Sequence, residues 1–252
     1  MNGRGPQIGF GPPITPQVIK NIIIANIVVY LAQLVTGTVT YYGVVSPERV
    51  WLGFELWRPF TYMWLHSPGS PFHILFNMFA LWMFGSTLAL AWGEQRFLRY
   101  YLVCGVGAGV LIATVPFLPH LMGWGYRPDL VRPTLGASGA VMGVLLAFSF
   151  TWPNRTIQLI FPPIPLKAIW LIPFILFMEL TSGPSNVSHL GHLGGVLVGW
   201  IYLVREGRTP GAPTIESLKL KWRRHQMRQK LRAVHEEERR KREQRNNDRR
   251  YH

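Results

Sequence analysis

A ten-residue stretch, Thr134-Leu135-Gly136-Ala137-Ser138-Gly139-Ala140-Val141-Met142-Gly143, is the part of the chain on which the fold depends. The stretch is small, apolar and rich in glycine, and it opens an apolar run that predicts a membrane-crossing helix. Ser138 places a hydroxyl near the start of that helix. A serine in this setting is either a packing residue between small side chains or a nucleophile. The choice depends on whether another predicted helix offers a base.

The composition of the 252-residue chain is that of a membrane protein. Hydrophobic residues make up 48% of it and charged residues 15%, whereas soluble domains have about 25% charged residues. The length fits one bundle of membrane helices with short appendages. The single cysteine, Cys104, excludes an internal disulfide. Its position in an apolar run argues against a thiol nucleophile, because apolar burial raises the pKa of a thiol.

The apolar runs predict an all-α protein with six membrane spans. These lie at about 18–39, 72–92, 97–118, 135–152, 168–180 and 187–204. We therefore expect an N-terminal segment at 1–17, a six-helix membrane domain at 18–204 and a basic tail at 205–252. The first loop, 40–71, is rich in Trp, Tyr and Pro, which favours an element in the membrane interface. A plain hydrophobic loop is the alternative.

The positive charge is concentrated in the tail. The chain has a formal net charge of +14, and the residues from Arg205 onward hold 16 Lys and Arg against 7 Asp and Glu. Basic residues flank spans on the cytoplasmic side, so we expect both termini there. The tail is predicted to be helical, and it either binds anionic lipid headgroups or is a solvated charged helix. Charge alone would allow nucleic-acid binding, but no fold motif supports it.

Polar residues inside predicted spans mark the candidate site, because such groups are costly in a membrane. His73 and Asn77 are four residues apart, hence on one helical face. Both side chains donate hydrogen bonds. Two donors that converge could hold an oxyanion, or they could connect two helices.

A candidate base for Ser138 lies in the sixth span. Gly191, Gly195 and Gly199 form a stripe at four-residue spacing, against which another helix can pack closely. His192 is adjacent to this stripe, so it would reach Ser138 if the fourth span docks there. Histidine is the usual base for a serine nucleophile. The alternatives are a histidine hydrogen-bonded between helices, or His189, one turn earlier, as the base.

Together these residues resemble the rhomboid family of intramembrane serine proteases. The resemblance covers about residues 18–204 and rests on several motifs in order. These are Trp57-Arg58, then His66, His73-Ile74-Leu75-Phe76-Asn77, Gly136-Ala137-Ser138-Gly139 and His192-Leu193-Gly194-Gly195-Val196-Leu197-Val198-Gly199. Met142 departs from the pattern, since some members carry an aromatic residue there that packs on the histidine.

The resemblance implies a Ser–His dyad. Ser138 would attack the scissile carbonyl, and His192 would act first as base and then as acid. His73, Asn77 and the backbone N–H of Ser138 would hold the oxyanion, with Gly136 beside them in the substrate-binding region. The fifth helix and the loop after it, with Gly183 and Pro184, would move to admit substrate. Glu179 in that helix has no assigned role.

The expected protein is therefore a serine endopeptidase that cleaves single-span or other membrane-protein substrates in the bilayer, with no metal and no cofactor. A non-catalytic rhomboid-like protein that binds membrane clients is one alternative. A transporter or channel using His73, His189 and His192 is another. A metalloprotease is disfavoured because the sequence has no His-Glu-x-x-His. The compact core and the lack of a transit-peptide pattern lead us to expect a prokaryotic plasma membrane.

Overall fold

The computed structural model describes residues 11–125, 128–158, 164–181, 189–207, 222–223, 226–227 and 229. The chain divides into two compact units, 1–210 and 211–252. In the second unit the described residues are helical and exposed, as expected for a polar tail helix. The remainder of the predicted tail helix and the N-terminal ten residues lie outside the described residues.

The described part of the first unit is mainly helical. Its helices are α1 (Gln17–Val35), α2 (Gly37–Gly43), α3 (Pro47–Trp51), α4 (Arg58–Thr61), α5 (Pro71–Ala80), α6 (Ser86–Trp92), α7 (Glu94–Thr114), α8 (Leu118–Leu121), α9 (Ser138–Thr151), α10 (Leu171–Thr181) and α11 (His189–Arg205). A π-helical turn, Leu81–Gly85, joins α5 to α6, and single 3₁₀ turns lie at Tyr62–Trp64, Val115–Phe117, Pro128–Leu130 and Ala168–Trp170. Strands β1 (Thr156–Gln158) and β2 (Pro165–Lys167) pair antiparallel between α9 and α10.

Three helical stretches in the described residues are long and apolar enough to cross a membrane. They are Gln17–Val35, Pro71–Trp92 and Glu94–Leu121, and α9 is a shorter apolar helix. The second and third lie within three residues of the predicted spans. The Glu94 carboxylate accepts hydrogen bonds from the backbone N–H groups of Gln17 and Val18, at 3.2 and 2.9 Å. It thereby satisfies two orphan donors at the start of α1 and links the first helix to the third span.

Two predicted spans differ from the structure at one end, each for a local reason. The first ends at Val35 and not at about Val39, because Thr36 is extended and its side chain caps a new helix, α2. The fourth begins at Ser138 and not at Leu135, because Gly136 has a φ of +130°. That conformation is open to glycine and incompatible with helical backbone. Ser138 is therefore the first residue of its helix.

The centre of the fold is the mutual packing of α7, α9 and α11. Almost the whole of α9, from Gly139 to Ser149, is buried. A Cβ added to Gly195 would lie 1.9 Å from the carbonyl oxygen of Gly139, and one added to Gly199 would lie 3.3 Å from the Cα of Gly143. The glycine stripe of α11 thus docks on the glycines of α9, backbone against backbone. This is the close approach that small residues permit in membrane bundles.

The variant Gly195→Ala tests this contact. The added methyl group would overlap the Gly139 carbonyl, so α9 and α11 must separate, and overpacking of this kind costs about 1–3 kcal/mol or more. We expect a lower free energy of unfolding in detergent micelles. Gly37→Ala is the matched control, because a Cβ there has no atom within 4 Å. Equal stability of the two variants would contradict the proposed importance of the glycine contact.

Candidate active site

A cavity of about 410 Å³ lies on the side of the bundle where α5, α9 and α11 begin. Its walls come from distant parts of the sequence: Tyr62, Ser67, Ser70, His73, Ile112, Pro133, Thr134, Leu135, Gly136, Ser138, Gly139 and Gly191. The structure thus brings three of the predicted site residues, His73, Gly136 and Ser138, to one cavity.

Ser138 occupies the N-terminus of α9, where the first backbone N–H groups have no intrahelical acceptor. The preceding turn is held by Gly136, whose N–H donates to the carbonyl of Tyr62 at 3.0 Å. A Cβ added to Gly136 would lie 3.6 Å from Ser138 Oγ and 3.1 Å from His73 Nε2. The hydroxyl and the imidazole therefore face the same small space beside Gly136. The absence of a side chain at Gly136 keeps that space open.

His73 lies in the first turn of α5, and its tautomer follows from one hydrogen bond. The backbone N–H of Ser67 donates to His73 Nδ1 at 3.3 Å. A nitrogen that accepts carries no proton, so the proton of the neutral ring is on Nε2. Nε2 lies at the edge of the ring that borders the space beside Gly136. The site therefore contains one N–H donor beside the space that Ser138 Oγ also borders.

Asn77 is buried one turn after His73, but its amide bonds to its own helix. Its Nδ2 donates to the carbonyl of His73 at 2.8 Å. This is the back-bond to residue i−4 that short polar side chains form in helices. Asn77 is also not part of the cavity wall. Of the two donors predicted to converge, only His73 reaches the cavity wall, while one N–H of Asn77 is engaged elsewhere.

His192 lies in the first turn of α11, directly after Gly191, and is half-buried. Gly191 forms part of the cavity wall, and its carbonyl oxygen would lie 3.1 Å from a Cβ on Gly139. His192 is thus on the helix that docks against the Ser138 turn. His189 is the first residue of the same helix and is also half-buried.

The first loop is anchored by the fully buried Arg58. Its Nε donates to Glu55 Oε2 at 2.8 Å and Nη2 donates to the same carboxylate, while Nη1 donates to the carbonyls of Tyr41 and Val44. Val45, which follows Val44 in the chain, exchanges two backbone hydrogen bonds with Thr134, at 2.8 and 3.0 Å. The loop is therefore joined to the segment that leads into Ser138.

Tyr62 is a second anchor, and the sequence analysis missed it. Its hydroxyl donates to the carbonyl of Gly105 on α7 at 2.8 Å, and its own carbonyl holds Gly136. Burial raises the pKa of Tyr62 well above its usual range, so the phenol stays protonated and remains a donor. No sequence signal separates this tyrosine from the other aromatic residues of the loop. Its contacts exist only in the folded chain.

Some predicted features cannot be placed. The side chain of Glu179 and the segment 182–188, with Gly183 and Pro184, lie outside the described residues. Within the described ranges, no group of three or more His, Cys, Asp and Glu side chains could hold a metal ion.

Comparison with known proteins identifies the family to which this site is related. The family model described as Rhomboid domain matches residues 53–208. RHOMBOID-like protein 12, mitochondrial, of Arabidopsis thaliana is 35% identical over 146 residues, which cover 54% of this chain and 43% of that protein. Rhomboid protein 1, mitochondrial, of Saccharomyces cerevisiae is 32% identical over 52% of this chain and 36% of its own length.

A human relative extends the match over more of the chain. Presenilin-associated rhomboid-like protein, mitochondrial, of Homo sapiens is 28% identical over 193 residues, which cover 73% of this chain and 47% of that protein. In each of these three comparisons the chain spans less than half the length of the curated relative.

The expected location in a prokaryotic plasma membrane, with cytoplasmic termini, is wrong on this evidence. The relatives from plant, yeast and human are all named as mitochondrial. The expectation rested on a compact core and on the lack of a transit-peptide pattern, and a helix needs about the same apolar length in any bilayer. The length of the core therefore carries no information about the compartment.

The variant Arg58→Ala tests the loop anchor. It would leave Glu55 and two carbonyls without their donor, and breaking a buried ion pair from one side costs about 3–5 kcal/mol. We expect the free energy of unfolding in detergent to fall by about that amount. Arg49→Ala is the control, because this partly exposed arginine also faces Glu55, at 4.0 Å. Its removal should cost less than about 1 kcal/mol. Equal losses would show that burial of Arg58 is not what stabilises the loop.

Proposed function

This chain belongs to the rhomboid family, which includes intramembrane serine proteases, and we propose that it is itself a serine endopeptidase that cleaves membrane-protein substrates. One observation carries the proposal. The hydroxyl of Ser138 and the Nε2–H of His73 face one space beside Gly136, next to the docked helix that bears His192. A nucleophile and an oxyanion donor at one point, with a base on the neighbouring helix, are the parts that acyl transfer needs.

The proposed catalytic groups are Ser138 and His192. His192 takes the proton of Ser138 Oγ while the oxygen attacks the scissile carbonyl and forms a tetrahedral intermediate. His192 then gives that proton to the leaving amine, the peptide C–N bond breaks, and an acyl-enzyme ester remains. A water molecule, deprotonated by His192, hydrolyses the ester and restores the serine. No metal or organic cofactor has a role in these steps.

The developing oxyanion would be held beside Gly136. The donors are Nε2–H of His73 and the backbone N–H of Ser138 at the positive end of α9. Asn77 is bonded to the His73 carbonyl and is not part of the cavity wall, so it would add a further donor only after its side chain shifts when substrate binds. Removal of one oxyanion donor typically lowers kcat about 10²–10³-fold. Gly136 contributes the open space that the oxyanion occupies.

The proposed substrates are proteins with a membrane span. A transmembrane helix satisfies its own backbone groups, so it hides the peptide bond from a protease. Residues that destabilise the helix near the cut would therefore favour cleavage. In this proposal α9, α10 and α11 complete a six-helix domain at 18–204 with the three longer spans. The fifth helix, α10, moves to admit substrate, and the basic tail from residue 205 binds anionic lipid headgroups.

Active-site labelling tests the dyad directly. The purified protein in detergent is treated with a fluorophosphonate probe, which reacts with an activated serine. We expect label on the wild type and about none on Ser138→Ala or His192→Ala, because one lacks the nucleophile and the other the base. His189→Ala is the matched control, one turn away on the same helix, and should retain its label.

Two results would contradict the proposal. Loss of label in His189→Ala, with retention in His192→Ala, would assign the base to the other histidine. A well-folded wild type that takes no label under several conditions would remove the activated serine, and a client-binding protein without catalysis would then be the better interpretation.

A further inference from the structure

A chain of contacts leads from α1 to the imidazole of His73. It begins at Gln33, a buried amide in the last turn of α1. Its Nε2 donates to Thr40 Oγ1 and its Oε1 accepts the backbone N–H of His66, both at 2.9 Å. A buried amide is costly in a membrane helix unless its hydrogen bonds are made. Here both ends of the amide are used, and one of them holds the first loop.

His66 is the next member of this chain. It is fully buried, and its ring meets the ring of His73 edge to face, with centroids 5.2 Å apart. Among the described residues, only the backbone of Trp64 interacts with a ring nitrogen of His66, and its geometry is too poor for a regular hydrogen bond. Burial, and then the neighbouring His73, lower the pKa of His66 to about 3. The ring is therefore neutral, and it acts on His73 by contact.

Two consecutive residues thus hold His73 from two sides. The ring of His66 packs edge to face with the ring of His73, and the N–H of Ser67 donates to His73 Nδ1. The N–H of His66 belongs to the peptide unit 65–66 and the N–H of Ser67 to the next unit, so a bond that fixes the first restricts where the second can lie. The bond from His66 to Gln33 does this. The direction of the Nε2–H donor of His73 then depends on Gln33, which itself lies on α1.

We propose that Gln33 is a positioning residue that orients the oxyanion donor His73 through the backbone and ring of His66. This inference rests on the proposed function, since it concerns the same oxyanion site. Gln33 does not form part of the cavity wall. Its effect is on the precision with which a donor is held, and a displacement of about 1 Å can cost about 100-fold in rate.

Steady-state kinetics on a fluorophore-labelled single-span peptide provide the first test. Gln33→Met keeps the length of the side chain and removes both hydrogen bonds. We expect kcat to fall about 10-fold to 100-fold, with KM changed by less than about twofold, since only transition-state binding is affected. Thr40→Val is the matched control, because it removes the bond to Nε2 and leaves the bond to His66. A fall in kcat for Thr40→Val equal to that for Gln33→Met would overturn the proposal.

Variants of His66 test whether its ring positions His73 by direct contact. His66→Ala should lower kcat as Gln33→Met does, because the ring that packs on His73 is lost. His66→Phe should restore most of the rate, since a ring of similar shape returns and only the weak interaction with the Trp64 backbone is lost. A Phe variant as slow as the Ala variant would mean that His66 does not act by ring contact.

A double-mutant cycle separates positioning from general destabilisation. If Gln33 acts through His73, then Gln33→Met should have little further effect on kcat in a His73→Ala background. Additive losses in the double variant would show that Gln33 stabilises the fold without acting on the oxyanion donor, and the inference would fail.

An NMR measurement that needs no catalysis tests the positioning role of Gln33 separately from the proposed protease function. With ¹⁵N-labelled histidine, the ring nitrogens of His73 are assigned by their loss in His73→Ala. In Gln33→Met they should shift towards a mixture of tautomers, because the Ser67 N–H no longer holds Nδ1. Unchanged signals would overturn the inference even if the wild type is an active protease. A wild type that takes no fluorophosphonate label overturns the proposed function and, with it, the catalytic role of Gln33, whatever the NMR signals show.

Discussion

The close contact between the backbones of α9 and α11 is the constraint on which the rest of the structure depends. It exists because glycine faces glycine, at Gly139 and Gly195 and again at Gly143 and Gly199. Lipid tails offer no hydrophobic force between helices, so the attraction comes from van der Waals contact at short range. The same contact sets the distance between the Ser138 turn and the turn of α11 that carries His192. Packing and the candidate chemistry therefore involve the same two helices.

A second constraint comes from backbone that is not helical. Polar backbone groups must be satisfied inside a membrane protein, and irregular segments persist only where protein or water supplies partners. In the first loop the partners are protein. Arg58 binds two carbonyls, Gln33 holds the N–H of His66, and Tyr62 holds the N–H of Gly136. The bonds from Gln33 and to Gly136 thereby tie the loop to the rest of the bundle.

These two constraints position different residues of the candidate site. The proposed nucleophile and base belong to helices that pack through glycine, whereas the proposed oxyanion donor, His73, takes its tautomer from a loop residue, Ser67. The division explains why loop anchors far from Ser138 bear on the chemistry. It also explains why Asn77 and His73, neighbours on one helical face, have different surroundings: His73 is next to the loop, and Asn77 bonds to its own helix.

The sequence by itself determined the helical class and the positions of the longest spans, because both follow from the length of the apolar runs. The four-residue glycine spacing likewise predicts the stripe on α11. The Ser138–His192 dyad rests on the resemblance to the rhomboid family and stays a prediction. The tertiary structure decided the rest. Contacts between distant segments decide that α9 is the helix docked on the α11 stripe and that the fourth helix starts at Ser138. They also decide that His73 reaches the cavity wall while Asn77 does not. Tyr62 and Gln33 were missed for the same reason, since a hydrogen bond between residues far apart in the chain leaves no periodic trace in the sequence.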